Sequence, residues 1–190
     1  MIIATTVVAL QCGLPAHWMT RAKTQKEQLA ELNATGTNIG YKVAPNSIKG
    51  KLAEQIGIDM VAPPKEFFCN SPRHQAVDMD AILKHESVEH LVFNLTGIQD
   101  DDLNKLAQMP NLKHLNLSST DISDDGVANL ANLELISLHL QKLDLTDACI
   151  DSVTKIDTLK FLCVTKGTFS KETIAKLKKH LPDCEIAETN

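Results

Sequence analysis

The sequence predicts an α/β solenoid, in which short parallel strands form a concave face and helices form the convex face. The first observation is a repeat: apolar strand motifs begin at Leu91, Leu115, Leu138 and Leu162, at intervals of 24, 23 and 24 residues. The second is a change of apolar spacing within each unit, from alternate residues, typical of a strand, to every third or fourth residue, typical of a helix. A period in the low twenties that combines both spacings indicates a strand-turn-helix unit stacked on its neighbours.

The first segment, residues 1–20, is hydrophobic and carries no Asp, Glu, Lys or Arg. Its apolar run is shorter than the roughly 20 residues that a membrane span needs. Three interpretations stay open: a weak or truncated anchor, an uncleaved signal-like segment, or a buried helix or strand. Arg21, Lys23 and Lys26 follow directly, and basic residues beside an apolar run favour membrane association. The sequence therefore leaves membrane-associated and cytoplasmic localisation both open.

Residues 21–66 are predicted to form a helix-strand-helix cap, which gives the solenoid an α+β N-terminal end. Residues 21–34 contain strong helix formers without Gly or Pro, and Gly36 follows as a natural helix terminator. A short strand is predicted at 38–43 and a second helix at 48–56.

Residues 67–87 are predicted to be a degenerate first repeat of a repeat domain that spans 67–190. Phe67 precedes Leu91 by 24 residues, while His74 falls where the pattern requires an apolar residue. Terminal repeats cover an exposed end of the core and are usually atypical. The matched apolar positions are Met79, Ile82 and Val88 against Leu103, Leu106 and Leu112.

The clear repeats extend over residues 88–186 and share a helix start. Ser123, Thr146 and Ser170 are predicted helix N-caps, because their hydroxyls can accept from the first backbone N–H groups. An acid in the first helical turn, such as Asp100, Asp124 or Asp147, complements the helix dipole. These acids would stack in register, as the ligands of a calcium site can, but the helix dipole explains each of them without a cation.

Two stretches carry a family resemblance. LKHLNLSSTDISDDGVANLANL at 112–133 and the ending FSKETIAKLKKHLPDCEI at 169–186 resemble leucine-rich repeats. They are most similar to short bacterial leucine-rich-repeat proteins with an N-terminal hydrophobic segment. The resemblance implies binding of a protein or ligand on the concave sheet, and it carries no catalytic residue.

One position departs from the family pattern. Many leucine-rich repeats place Asn after the strand, where it bonds the backbone of the next turn. The equivalent residues are Thr96, Thr120, Leu143 and Gly167. Thr can form part of that bond and Leu cannot, so we expect the third repeat to be locally irregular.

The alternation of the strands defines a candidate partner-binding face. Its residues are polar or weakly apolar, and within the four clear repeats they include no acid and no Lys or Arg. A preformed solenoid sheet of this kind typically binds a protein partner. The candidates are His90, Val92, Asn94, His114, Asn116, Ser118, His139, Gln141, Phe161 and Cys163, with Ser137 and Thr165 at the same alternation.

The alternative function is a small-ligand or metal sensor. His90 and His114 are predicted to share a column on adjacent strands, with His139 one column over, and three imidazoles can bind zinc or copper. No acid in these four repeats could orient the imidazoles, as metal sites usually require. The sequence therefore predicts no metal and no cofactor.

Composition and motifs narrow the remaining function classes. A net charge of −5 and a pI of about 5.8 argue against a nucleic-acid partner, which needs a basic face. No GxSxG, HExxH or Gly-rich phosphate loop occurs, and a Cys163–His139 pair alone is weak evidence for catalysis. The five cysteines include no CxxC, so we expect free thiols that act as small hydrophobes. The sequence predicts a non-catalytic protein.

Overall fold

The computed structural model describes residues 16–34, 37–40, 64–69 and 77–190. Within them, seven strands form one sheet in chain order. The strands are β1 (Thr37–Gly40), β2 (Glu66–Cys69), β3 (His90–Val92), β4 (His114–Asn116), β5 (Ser137–Leu140), β6 (Phe161–Thr165) and β7 (Glu185–Thr189). β1 pairs antiparallel with β2, and every later pair is parallel.

Helices connect the strands on the other side of the core. They are α1 (Ala16–Ala34), α2 (Met79–Leu83), α3 (Asp100–Lys105), α4 (Asp124–Ala128), α5 (Ile150–Val153) and α6 (Lys171–His180). Leu106–Gln108 and Asp147–Cys149 form 3-10 turns beside α3 and α5. The predicted α/β solenoid is confirmed.

The leading leucines set the register of the sheet. Leu91, Leu115, Leu138 and Leu162 pair in succession, and all four are at most 1% exposed. Because alternate residues of a strand point to opposite faces, this register directs one residue set into the core and the other to the concave surface.

The strand before Leu91 lies where the degenerate repeat was predicted. Phe67 of β2 pairs with Leu91, and Met79, Ile82 and Val88 are buried with it. His74 lies outside the described residues.

The far end of the sheet extends the sequence prediction. The clear repeats were predicted to extend to residue 186, and the structure adds a strand there, β7, which pairs with β6 through Thr189. Ile186 pairs with Leu162 and occupies the position of a leading leucine, 24 residues later. The segment that forms β7 has one strongly apolar residue, Ile186, so its composition does not indicate a strand. The repeat period alone would have predicted it.

The N-terminal helix is longer than predicted. α1 begins at Ala16, inside the segment assigned to the hydrophobic N-terminus, and buries Leu29 and Leu32. In the described ranges, no helix has both the length and the apolarity required to cross a membrane. Residues 1–15 and the helix predicted at 48–56 lie outside those ranges. The strand predicted at 38–43 is observed at Thr37–Gly40.

The helix starts carry a contact between repeats that the dipole explanation missed. The predicted N-caps are confirmed, since each hydroxyl accepts from a backbone N–H of its own helix. In addition, an aspartate of each repeat accepts from the N-cap residue of the next. We call these contacts the aspartate ladder: Asp100 with Ser123, Asp124 with Thr146, and Asp147 with Ser170.

The ladder bonds are short and directed at both carboxylate oxygens. Asp100 accepts from the Ser123 N–H at 3.0 Å and from its hydroxyl at 2.6 Å. Asp124 accepts likewise from Thr146, at 3.0 and 2.5 Å. The N–H and hydroxyl of Ser170 lower the pKa of Asp147. These acids therefore join neighbouring repeats in addition to their position in the first helical turn.

The ladder also restricts the residue packed beneath it. A Cβ atom on Gly126 would lie 2.0 Å from Oδ1 of Asp100 and 2.7 Å from Cγ2 of Ile122. Since Gly126 is helical, its role here is to leave space rather than to permit an unusual φ.

The predicted irregularity of the third repeat is absent from its turn. Leu95, Ser119 and Lys142 have φ values of 62°, 60° and 54° at equivalent positions, so the first three turns match. The fourth places its positive φ one residue later, at Gly167 (82°), after a longer strand. In the third repeat the departure lies in the helix, which begins as a 3-10 turn.

The threonines at the Asn position satisfy the turn in the first two repeats. The Thr96 hydroxyl donates to the carbonyl of Phe93, and the Thr120 hydroxyl donates to the carbonyl of Leu117, both at 2.6 Å. Leu143 is buried in the same place in the third repeat. Its side chain replaces a hydrogen bond with apolar contact.

Candidate functional site on the concave sheet

The concave face is built from two columns of side chains that cross the sheet. The first column contains Glu66, His90, His114, Ser137, Phe161 and Glu185. The second contains Phe68, Val92, Asn116, His139, Cys163 and Ala187. Asn94, Ser118 and Gln141 follow the second column at the next outward position of their repeats.

The structure brings His90 and His114 together, as their predicted column required. Their rings stack with centroids 4.0 Å apart and planes inclined by 25°. Both residues are half-buried. The stack forms one wall of the central part of the face.

A second aromatic contact continues that wall. His139 and Phe161 have ring centroids 5.3 Å apart and planes inclined by 46°. Burial lowers the pKa of His139, and a hydrogen bond with Gln141 partly opposes that shift. The His139 ring is therefore more strongly neutral at physiological pH than an exposed imidazole.

A depression of about 180 Å³ lies between the two aromatic contacts. Its lining comes from three adjacent strands: His90, Leu91, Val92, His114, Leu115, Asn116, Ser137 and His139. The Asn116 side-chain oxygen accepts from the Ser118 N–H at 2.9 Å, which fixes the orientation of the amide.

Two predicted surface residues are buried instead. Ser118 is 7% exposed and Cys163 is 5% exposed. Gln141 lies 3.4 Å from the Ser118 hydroxyl, and the Thr189 hydroxyl of β7 lies 3.9 Å from the Cys163 sulfur. Sequence alternation gave their direction correctly, but neighbouring side chains cover them, so they add little contact surface.

Acids lie on this face beyond the four clear repeats. The pairings of β2 with β3 and of β6 with β7 place Glu66 beside His90 and Glu185 beside Phe161. The Glu66 carboxylate lies over Gly40, since a Cβ there would be 2.8 Å from its Oε2. The carboxylates thus mark the two ends of the first column.

The metal-sensor alternative requires three ligating side chains around one point. Among the described residues, no group of three or more His, Cys, Asp or Glu side chains could hold a metal ion. His90 and His114 face one another through their ring planes, whereas metal ligands must direct ring nitrogens at a shared ion.

Ion pairs between repeats border the face at the strand starts. Lys65 lies 2.5 Å from Glu89, Lys113 lies 2.9 Å from Glu134, and Lys160 lies 3.4 Å from Asp183. Each pair balances its own charge, so this border has little net charge.

The cysteines in the described ranges behave as predicted. Cys69, Cys149, Cys163 and Cys184 are free and buried, while Cys12 lies outside those ranges. Burial raises the pKa of Cys69 to about 11 and that of Cys149 to about 12, the latter helped by Asp124. Thiols that stay protonated are poor nucleophiles. Cys163 pairs with His139 in the sheet, but its burial limits access to the sulfur.

A sequence comparison identifies the repeat. Residues 108–131, which include β4 and α4, match the family described as Leucine Rich repeat. These residues therefore form a leucine-rich repeat. No curated protein sequence matches this chain.

Solved structures give the same fold. The chain is similar to an internalin (inlF) from Listeria monocytogenes, with a TM-score of 0.50 and 18% identity. The similarity covers 76% of this chain and 38% of the internalin chain, so this protein spans less than half of that one. At this identity the similarity concerns the fold alone.

A buried histidine outside the concave face affects stability. His85 is 6% exposed and packs edge-on against Phe67, with ring centroids 5.4 Å apart. Its Nε2 has no hydrogen-bond partner among the described residues. Burial, followed by the charge of Lys84, lowers the pKa of His85. The folded protein therefore binds this proton less readily than the unfolded chain.

We expect acidification to destabilise the protein through His85. The contribution of neutral His85 to the free energy of unfolding is complete above the ordinary histidine pKa of about 6.5. It is lost as pH falls through the lowered pKa that His85 has in the folded protein. Urea denaturation at about pH 7 and pH 5 should show this loss, with a shallower pH dependence in His85→Gln. The exposed His180→Gln variant is the control. Equal pH dependence in His85→Gln and the unmodified protein would contradict the assignment.

Proposed function

We propose that this chain is a non-catalytic protein-protein interaction module that binds a partner on its concave parallel sheet. The observation that carries the proposal is the pair of aromatic contacts on the concave face, the His90–His114 stack and the His139–Phe161 contact. These four side chains are half-buried and presented by consecutive strands. A rigid sheet that presents them in fixed positions loses little conformational freedom on binding.

The composition of the face supports a protein as the partner. Protein interfaces favour aromatic residues surrounded by polar groups, and the concave face presents both kinds of side chain around its central depression. Neither column contains Lys or Arg, which disfavours a nucleic-acid backbone as the ligand. Membrane association through residues 1–20 stays a prediction, as does a capping role for residues 67–87.

The proposal is tested by a fourfold variant of the concave face. Changing His114, Asn116, His139 and Phe161 together to Ala should abolish capture of the native partner, because it removes both aromatic contacts. A matched control carries four Ala substitutions at exposed helix-side positions: Asp101, Asn104, Asp125 and Lys155. Affinity capture with the intact chain is compared for both variants, with circular dichroism as a test of folding.

The two variants separate the surfaces. We expect the control to capture the partner as the unmodified protein does. If the control loses capture while the concave variant retains it, the partner binds the helix side and not the concave sheet. The sensor alternative has less support, because the described histidines do not converge on a metal position.

A further inference from the structure

We propose that the depression between the His90–His114 stack and His139 is an anchor subsite that accepts a carboxylate side chain of the partner. This inference rests on the proposed function and specifies one part of the binding surface. It concerns an Asp or Glu side chain, and it is argued from the hydrogen-bond groups and charges around the depression.

The first argument is the excess of donors at the depression. The Asn116 oxygen is occupied by the Ser118 N–H, so the amide presents its NH₂ group. The Ser137 hydroxyl can rotate to donate. The His139 ring donates to Gln141, so its second nitrogen becomes a further donor at the depression when the ring is protonated. A carboxylate only accepts hydrogen bonds, so it complements this set better than an amide or a hydroxyl.

The second argument is the distribution of charge. No carboxylate lines the depression. Three acids are close to its lining residues in register or sequence: Glu66 pairs with His90, Glu89 precedes His90, and Glu134 precedes Ser137 by three residues. Glu66 lies over Gly40, Glu89 pairs with Lys65, and Glu134 pairs with Lys113. The nearby acids are thus directed away or neutralised. Three histidines line the depression and can acquire positive charge beside a bound anion.

The third argument is size. Water occupies about 30 Å³ per molecule in the liquid, so a space of 180 Å³ holds a group of only a few heavy atoms. A carboxylate with one or two methylene groups fits this limit. The half-buried Val92 side chain supplies apolar contact for the methylene groups.

The proposal requires a particular pH dependence. An anion beside the imidazoles favours their protonated form, so its binding should tighten as pH falls from about 8 to 6. Ordinary carboxylates and ammonium groups keep their charge in that pH range. The electrostatic effect of the Lys65–Glu89 pair, the Lys113–Glu134 pair and Glu66 on the bound anion is therefore the same at pH 8 and pH 6. An apolar or aromatic anchor would show the opposite trend, because protonation would make the depression more polar.

The experiment uses the full chain and two small probes. N-acetyl-glutamate methylamide and its glutamine counterpart are titrated while the histidine ring resonances are followed by NMR. We expect saturable shifts at His114 and His139 with the glutamate probe, and tighter binding at about pH 6 than at pH 8. Equal binding of the glutamine probe, or weaker binding at the lower pH, would overturn the proposal.

An isosteric variant provides the second measurement. Asn116→Asp keeps the oxygen that accepts from Ser118 but places a negative charge in the depression, so we expect glutamate binding to weaken about tenfold or more. Asn104→Asp adds the same charge at an exposed position on the helix side, outside the depression, and should have a much smaller effect. Equal effects of the two variants would overturn the subsite.

The outcomes are distinguishable from a failure of the proposed function. If the fourfold concave variant loses partner capture but the glutamate probe does not bind, the face binds its partner through another anchor. If the fourfold variant retains capture, the concave interface itself is wrong.

Discussion

Replacing Leu117 or Leu140 with Ala is expected to lower the free energy of unfolding by about 2–5 kcal/mol. Both side chains are at most 1% exposed and lie in the stacked core. Truncation removes apolar contacts and leaves a cavity, because neighbouring repeats are held in place by the sheet. Urea denaturation measures the change through the transition midpoint at constant slope.

Leu95→Ala is the matched control for both variants. Leu95 is 52% exposed and has a φ of 62°, which Ala would share, so its truncation should change stability by less than about 0.5 kcal/mol. A loss at Leu117 no greater than that at Leu95 would contradict the core register.

Replacing Gly126 with Ala is expected to destabilise the protein by about 1–3 kcal/mol. On helix propensity alone the same change would stabilise by about 1 kcal/mol. The added methyl group would overlap Oδ1 of Asp100 and Cγ2 of Ile122. The carboxylate must then move and weaken its two bonds to Ser123.

A double-mutant cycle with Asp100→Ala tests that explanation. Asp100→Ala alone should cost about 1–3 kcal/mol, since it leaves the Ser123 donors without their charged acceptor. In the Asp100→Ala background, Gly126→Ala should lower the free energy of unfolding by less, because one of the two obstructing side chains is gone. Purely additive effects would show that Gly126 and Asp100 do not interact.

The repeat period predicted the sheet well because it reports a single requirement. Every leading leucine must face the core in the same register, so spacing along the chain gives position in the fold. The stack of His90 on His114 follows from that register. β7 was not predicted. A terminal strand buries only one face against a neighbour, so a chain segment with one strongly apolar residue is enough to form it.

The side-chain contacts between repeats were harder to predict. Asp100 and Ser123 are 23 residues apart, and each alone has a sufficient local role at a helix start. From the sequence alone, the helix dipole is therefore a sufficient explanation for the acid. The burial of Ser118 and Cys163 depends on Gln141 and Thr189, whose proximity only the folded sheet reveals. Local pattern gives direction, whereas exposure depends on residues from other repeats.

The aspartate ladder gives the solenoid a polarity that permits growth by internal duplication. In every bridge the acid belongs to the N-terminal repeat and the N-cap residue that donates to it belongs to the C-terminal repeat. Inserting a second copy of residues 115–137 would present Ser123 of the new copy to Asp124 of the old one. Asp124 of the new copy would then meet Thr146, as it does now. Both new junctions would therefore be satisfied without any compensating substitution, so the length of the concave sheet can change while the chemistry of each junction is preserved.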